Sequence, residues 1–440
     1  MSTAIMWFRR DLRLADNPAL VAATKAADEV VPLFVLDPHL WKPAGVPRRA
    51  YLVASLASLA ERTGGLVLRT GDPVDVVPAV AAEVGADHVF VSADFNPYGA
   101  RRDKQVAEAL AAGGGELARH GSPYAVDPGE VRTQQDTRYS VYTPFSRAWR
   151  EHGWGPPVAS PRGVTWRVDL PTDELPEVER PEGMQLPPAG EPAARARWRA
   201  WADAHLADYA TARDRPDLDT TSRMSVHLKW GEIHPRTMLA DVAERTGDAR
   251  SRQRYTGELG WREFYADVLA RRPETARQYY RPELADMRYE EPGPMFEAWK
   301  EGRTGYPLID AGMRQLLSEG WMHNRVRMVV ASFLVKDLHI EWQHGARHFM
   351  HWLVDADLAS NQHNWQWTAG SGTDPAPYFR VFNPIDQGKK FDPDGHYIRR
   401  HVPELRDVPL AELHQPHNPI VEHAAERREA LARYEAVRNG

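Results

Sequence analysis

No cysteine occurs in the 440 residues. That excludes disulfides, thiol nucleophiles, cysteine zinc sites and cysteine-held iron–sulfur clusters, so redox chemistry here needs an organic cofactor. No apolar run approaches the ~18 residues of a membrane span. The chain enters Ile5-Met6-Trp7-Phe8 with no basic segment ahead of an apolar one. The expectation is a cytoplasmic protein without a membrane contact. Basic charge is not in excess: 55 Lys and Arg face 61 Asp and Glu, a formal net charge of −6. Nucleic-acid binding is not favoured as a bulk property. A local phosphate-binding face is compatible with it, because Asp173, Glu174, Glu177, Glu179 and Glu182 crowd one short stretch. No Gly-x-Gly-x-x-Gly follows the first apolar segment, so the usual dinucleotide fingerprint is missing.

What is abundant is tryptophan, 15 in all, most of it in the second half. Packing accounts for the bulk of it, and the number leaves room for a redox relay. At ~150 residues per domain the length suggests two or three domains. Residues 4–8, 30–36, 66–69, 88–92 and 116–119 read as buried strands. Helices are predicted over 51–61, 73–84 and 100–112, and from Pro18, with Asn17 as its cap. Strands separated by helices imply a doubly wound parallel sheet in an α/β domain over 1–125. Residues 126–192, rich in Pro, Gly and charge, read as an interdomain connector. Residues 193–440 read as an all-helical domain. Within it 316–337 shows one helical period through Leu317, Trp321, Met328, Val329 and Phe333.

Four segments carry chemistry. Thr221-Ser222-Arg223-Met224-Ser225 precedes an apolar run. With Ser222 as cap and Ser225 one turn inside, it makes a helix start suited to a pyrophosphate, although an ordinary N-cap is the plainer reading of this segment alone. Glu258 and Trp261 share a helix face, an acid beside a flat ring that suits a nucleobase; a surface ion pair of Glu258 with Arg262 is the plainer reading. Asn324, Arg327 and Met328 share another face, and an arginine buried there needs a carboxylate. Asp355 and Asp357, followed by Asn361, Trp365 and Trp367, offer candidates. His344, His348 and His351 lack a His-Glu-x-x-His pattern, so no metal site is expected.

Together these strings resemble the photolyase/cryptochrome family, nearly end to end. The opening Trp7-Phe8-Arg9-Arg10-Asp11-Leu12-Arg13, the stretch Gly320-Trp321-Met322-His323-Asn324-Arg325, and Phe379-Arg380-Val381-Phe382-Asn383-Pro384 carry the likeness, most closely to class I enzymes for cyclobutane pyrimidine dimers. The resemblance implies an antenna domain followed by a helical domain holding FAD. It implies that Tyr209 and Thr221, Ser222, Arg223, Met224 and Ser225 hold the FAD phosphates and ribityl chain, with Tyr255 lining the same cavity. Arg327, Asp355 and Asp357 would border the flavin ring and Asn361 would face its N5. Glu258, Asn324 and Met328 match dimer-repair enzymes, whereas (6-4) enzymes carry histidine at the place of Asn324. Plant cryptochromes carry aspartate where Asn361 stands, so repair is favoured over blue-light signalling.

Trp261 and Trp367 would flank a flipped lesion in UV-damaged DNA, with Arg213, Arg325 and Gln387 on the DNA backbone. Trp365, Trp342 and Tyr289 would form the relay that reduces the flavin, tyrosine standing where relatives have a third tryptophan. Asn96-Pro97-Tyr98-Gly99 resembles the loop of deazaflavin-binding relatives. That implies an 8-hydroxy-5-deazaflavin antenna near Asp37, Arg48, Asp94 and Asn96, with methenyltetrahydrofolate or no antenna as alternatives. A monomer without an obligate protein partner is expected.

Overall fold

The computed structural model describes residues 1–374 and 379–439. Five short strands form one parallel sheet: β1 (Thr3–Phe8), β2 (Glu29–Leu36), β3 (Val67–Thr70), β4 (His88–Val91) and β5 (Glu116–Arg119), in the order β3-β2-β1-β4-β5. Near-continuous apolar runs make these strands, as both faces are covered by helices. Capping fixes where those helices start. Asn17 accepts from Leu20 N–H ahead of Pro18–Ala26, and Asp72 from Val74 N–H ahead of Pro73–Val84. The expected α/β architecture is therefore observed, with two adjustments. The second long helix spans Val46–Thr63, and the fourth begins at Pro97 rather than at 100.

The connector is not bare. It holds the helix Tyr142–His152, whose buried Phe145 and Trp149 lie four apart and pack toward Phe264. Further on it returns to the sheet. Val30 N–H donates to the Thr165 carbonyl at 2.9 Å and Arg167 N–H to the Val30 carbonyl at 3.0 Å. Its acidic run ends in Glu191, which is buried and accepts from Leu14 N–H at 2.7 Å.

From Glu191 onward the described residues are helical. Five helices position the site: Ala249–Arg271, Pro307–Glu319, Asn324–Lys336, Trp342–Trp352 and Leu358–Ala369. The single helical period expected over 316–337 is broken into two helices. Gly320 takes a left-handed φ of 60° and ends the first, and His323 caps the second by accepting from Arg325 N–H. A Cβ on Gly320 would also press on Val354 and Pro47. The opening motif docks the two halves together. Arg13, 1% exposed, donates to the Gly231 carbonyl at 3.0 Å. Arg10 pairs with Asp357 at 2.6 Å across the seam.

Candidate active site

A cavity of about 80 Å³ opens between three helices. The helix Leu358–Ala369 presents one stripe to it: Ser360, Asn361, Asn364, Trp365 and Thr368, spaced at one, three, one and three residues. Asn324–Lys336 adds Asn324, Arg327 and Met328, as the sequence spacing suggested, and the exit of Trp342–Trp352 adds Asp355 and Asp357. Arg327 meets Asp355 at 2.8 Å and donates from Nε to the Met322 carbonyl at 2.7 Å. Only one oxygen of the buried Asp355 carboxylate is used; Oδ1 has no partner. Asn361 spends its amide NH₂ inside the protein, on the Ala346 carbonyl (3.1 Å) and Gln362 Oε1 (2.8 Å). Its carbonyl oxygen is left as the group it can offer. Asp357 lines the cavity but is already engaged. It caps Leu358–Ala369 through Ser360 N–H and pairs with Arg10. Burial opposes its charge, yet Arg10, Arg262 and Lys229 outweigh that and hold its carboxyl well below the usual range.

Trp365 reaches this cavity because Gly345 makes room. A Cβ on Gly345 would fall 2.1 Å from the Trp365 ring. The other expected relay members are Trp342 and Tyr289. Trp342 is fully buried at the start of its helix. Tyr289, half-buried, donates to the Leu284 carbonyl at 3.2 Å. Its ring lies 6.5 Å from that of Tyr279, which in turn meets Trp342 at 6.0 Å.

The Thr221–Ser225 segment differs in detail from its expected form. The helix is Ser225–Trp230, and Ser222 is not its cap. Arg223 has a left-handed φ of 53°, Ser225 is the first helical residue, and Ser222 Oγ instead accepts from Met224 N–H at 3.3 Å. The loop is pinned by its carbonyls, with Trp201 Nε1 on Thr220 and Arg197 Nε on Ser222, both at 2.7 Å. The hydroxyls of Thr220 and Thr221 are buried without partners. Tyr255 donates to Ser222 Oγ at 3.1 Å, and Tyr209 packs edge-on against Tyr255. The Arg223 guanidinium is taken by Glu319 and Asp219 and lies over Trp321. Arg197, Trp201 and Trp321 were not anticipated; nothing in their spacing ties them to this loop.

Glu258 and Trp261 line a different opening, a cleft of about 670 Å³ on the helix Ala249–Arg271. The ion pair with Arg262 does not form. Glu258 pairs with Arg213, and Arg262 donates to the carbonyls of Pro123 and Leu228. Arg213, expected on DNA, is thus turned onto Glu258. Trp261 stacks on Tyr142 from the connector helix, with ring centroids 3.6 Å apart. Arg147, Arg150, Arg250 and Arg254 rim the cleft. Trp367 is half-buried and donates to the Asp374 carbonyl at 3.1 Å. Arg325 pairs with Asp214 at 3.0 Å, and Gln387 Oε1 is buried without a partner.

Around the sheet, Asp37 and Asp94 follow β2 and β4 at the C-terminal ends where such sheets bind ligands. Tyr98 donates to Asp37, while Asp94 accepts from Asn96 and pairs with Arg102. Arg48 Nε is buried without a partner, and burial with neighbouring Arg49 pushes its guanidinium down to about 10. Gly99 sits directly on Asp94, where a Cβ would come within 2.1 Å of Oδ2.

Two family models cover most of the chain: DNA photolyase over residues 4–162 and the FAD binding domain of DNA photolyase over 255–436. The deoxyribodipyrimidine photo-lyase of Streptomyces griseus is 41% identical over 100% of this chain and 99% of that protein. The chain belongs to the DNA photolyase family. A class III photolyase from Agrobacterium tumefaciens superposes with a TM-score of 0.93 at 35% identity, covering 100% of this chain and 98% of its own. A Synechocystis cryptochrome superposes at 0.90 and 27% identity, covering 98% and 99%. Fold alone therefore does not separate photolyases from cryptochromes within the family. The helical half is a FAD-binding domain, and its donor set fits that group. It offers two unpartnered hydroxyls on a pinned loop, a half-used carboxylate beside an arginine, and an amide oxygen facing a cavity.

Proposed function

We propose that this chain is a deoxyribodipyrimidine photo-lyase that repairs cyclobutane pyrimidine dimers in UV-damaged DNA under light. The observation that carries this reading is Asn361, a neutral amide whose NH₂ is spent on Ala346 and Gln362. It offers an acceptor, and no carboxylic proton, to the ring in the cavity. FAD, when bound in its reduced form, supplies on excitation the electron that opens the cyclobutane ring and takes it back. The protein's own groups bind, orient and shield. Thr220 and Thr221 offer donors to the phosphates, and Arg327 with the free Asp355 Oδ1 fixes the polar edge of the ring. Asn324 and Met328 cover the cavity where the dimer enters.

On the DNA side, Arg213 holds Glu258 in place to bond the pyrimidine edge, and Trp261, backed by Tyr142, gives a flat wall for the extruded bases. The arginine-rimmed cleft beside them takes the phosphates of the same strand, which makes affinity fall with salt. The protein acts as a monomer in the cytoplasm. No helix among the described residues is long and apolar enough to cross a membrane. An 8-hydroxy-5-deazaflavin antenna sits at the sheet's C-terminal edge, near Asp37, Arg48, Asp94 and Asn96. An absorption spectrum of the released chromophores tests that assignment.

The decisive experiment is irradiation of the reduced holoprotein with an oligonucleotide carrying one cyclobutane dimer. Light-dependent loss of the dimer is expected, and its absence with reduced FAD bound rejects the reading. In Trp365→Phe, photoreduction of the oxidised holoprotein should stop while repair by chemically reduced protein persists. Loss of both together would show that Trp365 holds the site rather than feeding it.

A further inference from the structure

The relay expected from sequence ends at Tyr289, but the structure inserts another phenol before it. Tyr279 is 7% exposed, and its ring meets the buried Trp342 edge-on at 6.0 Å. Tyr289 lies beyond, 6.5 Å from Tyr279. The two phenols differ in their hydrogen-bond partners. Tyr289 donates to a backbone carbonyl, that of Leu284, which cannot accept a proton. Tyr279 donates to Glu341 Oε1 at 2.8 Å. Glu341 immediately precedes Trp342 in the chain, so the carboxylate that bonds the Tyr279 phenol is carried by the residue next to the tryptophan.

This difference matters because a phenol, unlike an indole, loses its proton when it loses an electron. Its ordinary pKa near 10 forbids prior ionisation at neutral pH, and burial together with Tyr289 and Glu341 raises Tyr279 further. A positioned base is what makes the oxidation feasible. The rings that meet Trp365 are Phe349 at 5.0 Å and Trp299 at 6.2 Å, and Trp299 leads on to Phe296 and to His348.

We propose that Tyr279, with Glu341 as its proton acceptor, is the residue that re-reduces oxidised Trp342. The inference rests on the reading of Trp365 and Trp342 as the path to the flavin. FAD, when bound in its oxidised form and excited, would accept one electron by way of Trp365, which would leave Trp342 as a radical cation. One electron then moves from Tyr279 to Trp342. The phenolic O–H bond breaks and the proton bonds to Glu341 Oε1. The products are neutral Trp342, a neutral tyrosyl radical and a neutral carboxylic acid, so charge and electrons balance. Tyr289 is a later, slower stop.

The test is flash photolysis of the oxidised holoprotein, with electron paramagnetic resonance of the trapped radical. Glu341→Gln is the central variant. Glu341 makes no side-chain cap bond to its helix, so the change leaves that helix start intact. Removal of a positioned proton acceptor should prolong the tryptophan radical cation about a hundredfold, and Tyr279→Phe should abolish the early tyrosyl signal. Tyr289→Phe should leave that signal in place, and deuterated solvent should slow its appearance in the unaltered protein. An unchanged decay in Glu341→Gln, or a tyrosyl signal that survives Tyr279→Phe and disappears in Tyr289→Phe, overturns the proposal. Trp342→Phe separates the two levels. If it has no effect on the charge-separated lifetime, the path itself is wrong; if it acts while Glu341→Gln and Tyr279→Phe do not, only the Tyr279 step is wrong.

Discussion

The helix Leu358–Ala369 has two polar faces, and they are built to opposite rules. On the face away from the cavity every large polar side chain is bonded. Gln362 donates to the Ala276 carbonyl at 2.6 Å, and His363 meets Thr275 Oγ1 at 3.1 Å. Gln366 donates to the Thr275 carbonyl at 2.9 Å and accepts from Tyr280 N–H at 2.7 Å. On the cavity face, Asn364 bonds only the Ser360 carbonyl of its own helix, and Asn361 has an unused carbonyl. Polarity on the first face specifies the fold, since a buried group left unbonded is costly. On the second it is held for something that enters. Substitutions should therefore cost stability on one face and binding on the other.

The sharpest break of this contrast is Gln366→Leu. The replacement keeps volume but strands the Tyr280 N–H and the Thr275 carbonyl in a fully buried place. The expected loss is about 3 kcal/mol of unfolding free energy, from two buried groups at roughly 1–3 each. Urea unfolding of the holoprotein reads it. A loss under about 1 kcal/mol would mean that water replaces the glutamine and that the packed face is less closed than it looks.

His363 gives the same face a pH signature. Burial is the main cause that pushes it down from 6.5 to about 4, with Arg271 and Arg272 adding to it against the Ala359 carbonyl and Asp357. Between those values the unfolded chain binds the proton and the folded protein does not. Stability from this residue is present above pH 6.5 and is lost as pH falls toward 4, by about 1.4 kcal/mol per unit. The difference in unfolding free energy between the protein and His363→Gln, measured across that window, should carry this slope. A flat difference would mean that His363 is protonated in the fold. The ring stacks on Tyr265, with centroids 5.6 Å apart, and also meets Thr275 Oγ1, which is a packing role.

How much of this could be read in advance follows from what each contact is made of. The sheet was legible because a parallel strand is a solid apolar run, and Asn17 and Asp72 announce their helices. Arg327 with Asp355 was legible because an arginine turned into a cavity demands an acid. The connector helix was hidden by Pro144 and its charged residues, although Phe145 and Trp149 carried the four-residue signal. The break at Gly320 was masked by apolar spacing that continues across it in phase. Ser222 looked like a cap because a left-handed arginine is rarely anticipated. The glutamines of the packed face bond to backbone carbonyls and amides about 90 residues away, and those partners exist at every position. Tyr279, in the loop after Pro273–Ala276, and Glu341, just ahead of Trp342–Trp352, are likewise 62 apart.

The smallest expected effect has the opposite sign. Asn364 is exposed, lines the cavity and bonds only the Ser360 carbonyl of its own helix, at 2.7 Å. Alanine is a better helix former than asparagine, so Asn364→Ala should raise unfolding free energy by about 0.5 kcal/mol. The same change removes a polar group from the cavity rim and should weaken binding of dimer-containing DNA by about fivefold, the loss of one hydrogen bond near 1 kcal/mol. Stability from thermal unfolding and affinity from fluorescence anisotropy can be measured on one preparation. If stability falls, the self-bond matters to the helix and the cavity face is structural after all. If stability rises while affinity holds, Asn364 faces water and the rim narrows to Asn324, Met328 and Asn361. A rise in stability with a loss of affinity is the outcome that only a face reserved for a ligand produces.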